Sequence, residues 1–357
     1  MLHNRLALAS GLSLIGTCWV IGVTGVASQA SHVMATRADR SGAIHRGRVW
    51  TPVEVGSRNI KAGPPARFAF AAGETVSCTF LPKPRGTGST PKFHCALPSG
   101  HEIKVRYGRQ NGEVYAQVAS TRLLWALGFA ANRMYPVKVV CRGCAPDPFK
   151  GAAPSGSSAP VVFDPATIDE SADGTTMETK PEEGWSWKEL DLIDESAGGA
   201  SVRERDALKL LAVLIQHSSN KSINQRIVCT DGIACTAPMM MIADLGKTFG
   251  RANAFNKDAT ASVNFAEWSK TPIWNDSATE CIGNLHWSWS GSFHDPRIAE
   301  SGRALLAELL NQLTDTQIRD LFTIARVTER DPNATVADWV TAFTRKRTEI
   351  AGRHCPS

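Results

Sequence analysis

Hydrophobic and polar positions change period along this chain, and each change marks an element. Between about Arg67 and Cys144, apolar and polar residues alternate in short runs such as "KFHCAL" and "EIKVRYG", the period of half-buried strands. One run breaks the alternation: "GEVYAQVASTRLLWALGF" reads as a helix before "MYPVKVVC" returns to a strand. The Pro-, Gly- and Ser-rich "APDPFKGAAPSGSSAP" then predicts a linker, and the acidic residues up to Glu183 predict a long surface loop. From "GWSWKELDLI" onward the pattern is mainly helical, through "SVRERDALKLLAVLIQH", "GRALLAELLNQL" and "TDTQIRDLFTIARV", the last opened by Thr314 and Gln317 as a capping box. "TVADWVTAFTRKRTEI" finishes the chain. A sheet-rich first half joined to a helical second half predicts an α+β layout of two lobes. Its expected divisions are an N-terminal linker over 31–66, a sheet-rich N-lobe over 67–144, a linker and acidic loop over 145–184, and a helical C-lobe over 185–357.

The first 30 residues change where this layout must work. Arg5 precedes a long apolar stretch, and Ser28 and Ala30 stand before a cleavage point, the pattern of an export signal. Leu6 to Ala27 is also long enough to anchor the chain in a membrane if uncleaved. Either way the expected location is exported, periplasmic or extracellular. Loss of the leader removes Cys18 and leaves eight of the nine cysteines, an even number suited to an oxidising compartment. Sequence proximity favours Cys78 with Cys95 and Cys229 with Cys235, and Cys281 with Cys355 would tie down the C-terminus. Cys141 and Cys144 allow a disulfide or half of a zinc site completed by Cys229 and Cys235; export favours disulfides.

Composition excludes some functions. With 357 residues, 43% hydrophobic, the chain can bury one large core or two modest ones. A net charge of +5 is too small to argue for nucleic acid, and the basic "TRKRTEIAGRH" reads as the solvated face and end of a helix. "WSWSGSF" holds Ser290 and Ser292 without the G-x-S-x-G of a nucleophile elbow. His286 and His294 are spaced for no helix face, which argues against a metallohydrolase.

The chemistry concentrates in "LIQHSSNKSINQRIVC" and the later "MMMIADLGKTFG". His217 and Asn224 in "HSSNKSIN" have the spacing of the kinase catalytic loop, H-R-D-x-x-x-x-N, and Asp244 to Gly246 read Asp-Leu-Gly where kinases keep an aspartate-glycine turn. The order of parts, a glycine-containing hairpin, a strand lysine, a helix, a hinge strand, a long helix, a polar loop, a hairpin and this turn, resembles exported bacterial proteins of the protein-kinase-like family, pseudokinases included. The resemblance runs from about Arg67 to Val327. It implies a two-lobed kinase-like fold, stapled by disulfides, that binds ATP with Mg or Mn.

The resemblance also assigns residues. Gly86 and Gly88 in "PRGTGSTPKFHC" would let the backbone approach phosphates, although Pro91 falls where a third glycine is usual. Lys104, on the strand face opposite Ile103 and Val105, would neutralise phosphates; Glu102 and Arg106 share its face. Glu113 would position Lys104, with Gln117 one turn later where a pairing glutamate is normal, and "VVCRGCAP" would form the hinge. Asn224 and Asp244 would offer a hard cation its oxygen ligands, and Lys221 would steady the transferred group. Ser219 stands where the catalytic-loop aspartate is expected, and a hydroxyl is far too weakly basic for that task. The expected function is therefore a phosphotransferase, acting on a protein or small-molecule acceptor, or a catalytically degenerate pseudokinase. The alternative is a secreted, disulfide-rich binding module that presents Trp287 and Trp289 to peptide or carbohydrate.

Overall fold

A computed structural model of the chain describes residues 31–83, 88–151, 159–252, 258–275, 280–286, 291 and 293–356. The leader, Gly86, Trp287, Trp289, Ser290 and Ser292 lie outside the described residues.

The chain is mixed α and β. Its strands are β1 (Ser31–Met34), β2 (Thr75–Leu81), β3 (Lys92–Ala96), β4 (Glu102–Tyr107), β5 (Arg133–Arg142), β6 (Val161–Glu170), β7 (Thr175–Glu178), β8 (Gln225–Cys229) and β9 (Met239–Ile242). Its α-helices are α1 (Arg37–His45), α2 (Glu113–Ala126), α3 (Val202–Leu214), α4 (Asp258–Ala261), α5 (Phe265–Lys270), α6 (Glu300–Asn311), α7 (Asp315–Ile324), α8 (Val327–Arg330) and α9 (Val336–Ala351).

Five strands close a barrel in the order β2-β3-β4-β6-β5, sealed by parallel pairing of β2 with β5. The alternation in "KFHCA" and "EIKVRY" sends Phe93, Cys95, Ile103 and Val105 into a core shared with Tyr135, Val139 and Ile168. A second core gathers α2, α3, α6, α7 and α9. Buried at every position except Trp125, α2 touches both the barrel strands and α7, and its buried polar residues are met by polar partners such as Arg106, Asp244 and Thr248. The capping box of Thr314 and Gln317 starts α7 as expected.

Several expectations change. Val161–Glu170, assigned by composition to a linker and acidic loop, forms β6 between β4 and β5. Its acids break the apolar pattern because the strand is buried on its outer face as well, by α2. "VVCRGCAP" does not connect two halves: its first half is the end of β5, in the barrel wall, and the chain returns to the barrel as β6. Residues 31–66, expected as a linker, hold β1, α1 and the buried Ile44, Val49, Val55 and Ile60. Trp50 Nε1 donates to Leu127 O, Gln317 Nε2 to Val55 O and Arg58 O, Arg122 to Ile60 O and Lys61 O, and Tyr135 to Pro64 O. The basic cluster of α9 is not all solvated either. Lys346 is 1% exposed, and Arg345 and Arg347 donate to the carbonyls of Ser269 and Leu313.

Four disulfides form: Cys78–Cys95, Cys141–Cys144, Cys229–Cys235 and Cys281–Cys355. A zinc site joining Cys141, Cys144, Cys229 and Cys235 is therefore overturned, since each pair is closed on itself in a different sheet. So many disulfides point to an oxidising environment such as the periplasm or the cell exterior. Among the described residues no helix is long and apolar enough to cross a membrane.

Candidate functional site

The site is built where β4, α2, β6 and the turn after β9 meet, and its centre is Arg106. Strand alternation sends Arg106 outward from the barrel with Lys104, yet it is only 4% exposed, because the start of α2 and the Asp244 turn cover it. Its guanidinium donates from one nitrogen to Glu113 Oε2 at 2.6 Å and from the other to Asp169 Oδ2 at 3.3 Å and Asp244 Oδ2 at 3.2 Å. Burial opposes this charge, but Asp244, Glu113 and Asp169 outweigh it and hold the guanidinium above its usual pKa.

Each carboxylate has further partners. Glu113 accepts from Thr90 Oγ1 at 2.8 Å, so the segment after Gly88 reaches the cluster, and Lys247 Nζ lies 3.9 Å from its other oxygen. Asp169 accepts from Asn132 Nδ2 at 3.0 Å and is ion-paired with Lys104, its register partner across β4 and β6. Asp244 Oδ1 accepts from Gln117 Nε2 at 3.2 Å and from the amide of Gly246 at 3.0 Å. Burial raises the Asp244 pKa, yet Arg106, the Gly246 amide, Lys104 and His217 together leave it below the usual carboxylate value. Burial beside Arg106 lowers the pKa of Lys92, and burial lowers that of Lys247. Among the described residues, four cations (Lys92, Lys104, Arg106 and Lys247) thus share one cluster with three carboxylates.

The polar loop closes on the same turn. The backbone carbonyl of Asn224 accepts the amides of Ala243 at 2.8 Å and Asp244 at 3.1 Å, which fixes Asn224 beside Asp244. Asn224 Nδ2 donates to Ser219 O at 2.5 Å and Ser219 Oγ at 3.0 Å, so the amide oxygen is turned away from Ser219. Lys221 is exposed at the start of the short 3-10 turn that ends in Asn224. His217 is fully buried beside Trp187; neither ring nitrogen has a hydrogen-bond partner among the described residues, and burial pushes its pKa down to about 4, so the imidazole is neutral.

Lys104, Glu113, Asn224 and Asp244 therefore come together, with Ser219 bonded to Asn224. Gly88 joins them from the hairpin: a Cβ built there at its φ of +100° would lie 3.0 Å from Lys92 Nζ. The expected pair of Lys104 with Glu113 does not form. Glu113 takes Arg106, two residues further along the same face, and Lys104 takes Asp169. The glycine of Asp-Leu-Gly has a local cause, because a Cβ on Gly246 would lie 2.5 Å from Glu113 Cγ. Sequence reasoning missed Thr90, Lys92, Asp169 and Lys247. The apolar-polar steps of "ATIDE" are the signal that could have found Asp169 on a strand.

No family model matches this chain, and no curated protein matches it. Among solved structures it is similar to the crystal structure of a Helicobacter pylori proinflammatory kinase, CtkA, at 10% identity and a TM-score of 0.37, covering 77% of this chain and 92% of that one. A TM-score of that size carries no inference about fold or activity.

Proposed function

We propose that the chain is a kinase-like protein of two lobes whose cleft holds the phosphates of a nucleotide, and that it is degenerate in phosphoryl transfer. The observation that carries this reading is the convergence on Arg106 of a barrel strand, the first turn of α2 and the Asp244 turn, to which the loop ending at Asn224 is hydrogen-bonded. Kinases join a strand cation to a helix glutamate beside an aspartate-glycine turn in this way. Here a guanidinium replaces the usual ammonium. Lys104, partly exposed and two residues before Arg106, is the cation best placed to meet a phosphate.

Transfer is degenerate because Ser219 holds no charge to accept a proton, and its hydroxyl is occupied by the Asn224 amide. The neutral, enclosed His217 does not replace it. The expected metal, Mg or Mn on Asn224 and Asp244, fits half of its donor set. Asn224 keeps an amide oxygen turned from Ser219, but both oxygens of Asp244 already accept protein donors, one of them a guanidinium. No step is routed through a metal.

Thermal melting of the oxidised chain with and without ATP, in the presence of Mg²⁺, tests the reading. A rise in Tm that Lys104→Ala removes is the expected result. No rise in folded protein moves the weight to the non-catalytic binding module.

A further inference from the structure

Resting on the nucleotide-binding reading, we infer that Arg106 serves as a built-in counter-cation at Asp244, so that this cleft takes its nucleotide without a divalent metal. Three observations carry it. Asp244 Oδ2, the oxygen a cation would take, lies 3.2 Å from an Arg106 nitrogen, and Oδ1 is held by Gln117 and the Gly246 amide. Arg106 is anchored from three sides, by carboxylates on α2, on β6 and in the turn, so it cannot withdraw from Asp244 as a unit without also leaving Glu113 or Asp169. Among the described residues the cluster already contains more cations than carboxylates.

A divalent ion entering beside a permanently charged guanidinium meets repulsion at short range in a poorly screened site. Mg²⁺ further demands near-octahedral oxygen geometry, which a carboxylate shared with arginine does not offer. A free nucleotide carries more negative charge than its metal complex, which suits Lys92, Lys104 and Lys247 without added cations. Arg106 is buried and does not touch the ligand in this scheme; it positions Asp244 and Glu113 and decides which ionic form of the ligand is accepted. Lysine is a point charge that cannot span three carboxylates. Arg106→Lys should therefore keep the Glu113 contact and release Asp244.

The experiment is calorimetric titration of the oxidised wild type with ATP in EDTA and again in Mg²⁺, together with Mn²⁺ titration followed by electron paramagnetic resonance. We expect ATP affinities within about threefold of each other and no Mn²⁺ bound by the wild type. Arg106→Lys should gain a Mn²⁺ site that Asp244→Asn removes in the double variant. ATP binding weakened more than tenfold by EDTA, or stoichiometric Mn²⁺ on the wild type lost in Asp244→Asn, overturns the inference and leaves nucleotide binding standing. No ATP binding under either condition overturns both. The wild-type comparison decides the matter alone if Arg106→Lys does not fold.

Discussion

Arg106 in the cleft and Lys346 in the helical half are both almost wholly enclosed, but their surroundings answer the buried charge differently. Arg106 has a carboxylate from each of three elements. Lys346 donates to the carbonyl of Thr271 and sits 5.2 Å from the centre of the Trp268 ring, a dipole and a quadrupole, with no carboxylate bonded to it among the described residues. Ion pairs hold the guanidinium charged at every ordinary pH, whereas burial pushes the ammonium down to about 8, with Glu349 opposing only in part. Compensation by acids fixes a charge; compensation by dipoles leaves it ready to leave. The cleft is built on the first plan, as a site that must hold its field constant would be.

Removing each cation is the strongest way to break this contrast. Arg106→Met leaves three carboxylates facing one another around an apolar side chain, and we expect a loss of about 3–5 kcal/mol in urea denaturation, typical of an orphaned buried charge. A loss under about 1 kcal/mol would mean that the cluster relaxes into solvent and that the two cations differ little. Lys346→Met should behave oppositely near neutral pH, where replacing a poorly compensated buried charge is close to neutral or stabilising.

The pH dependence sharpens the same comparison. With a folded pKa of about 8 for Lys346 against roughly 10.4 when unfolded, the unfolded chain binds more protons between those values, so stability rises with pH across that window. Below about pH 8 both states are protonated and the cost is constant. Relative to Lys346→Met, the wild type should gain on the order of 2–3 kcal/mol between pH 8 and 10.4. Parallel curves for the two proteins would show that Lys346 stays charged.

Gly246→Ala gives a smaller effect than Arg106→Met and probes the cleft without removing a charge. Its new methyl would press on Glu113, and relief requires Glu113 to give ground against Arg106 and Thr90. Overpacking of this kind costs about 1–2 kcal/mol. A variant as stable as the wild type would mean that the Glu113–Arg106 contact is soft.

The same cleft shows what was legible beforehand. Alternation identified β3 and β4, helical spacing identified α2 and α3, and the capping box placed the start of α7, because each is decided by neighbours within a few residues. Proximity in sequence paired Cys78 with Cys95 and Cys229 with Cys235, and left Cys141 and Cys144 open between a disulfide and a zinc site. The spacing in "HSSNKSIN" singled out Asn224 and Ser219, which are in contact. What could not be read was the choice between Lys104 and Arg106. Both point to one face of β4, and only the cover supplied by α2 and a turn more than a hundred residues later makes one of them a buried hub. Asp169 was hidden for the same reason: an acid is buried only where a distant cation awaits it, and its strand therefore looked like a surface loop.

The stitched N-terminal segment bears on the order in which the molecule completes itself. Val55 and Gln317 are bonded across 262 residues, and other parts of the segment are held by Arg122 and Tyr135. A chain made from its N-terminus releases this segment first and must leave it loose until α7 exists, since contacts of such separation cannot close earlier. The segment is a fastening closed at the end, and a protein begun at Arg67 would keep α2 and the Arg106–Asp244 pair between the cores but would lose Ile44, Val49, Val55 and Ile60 from the helical one.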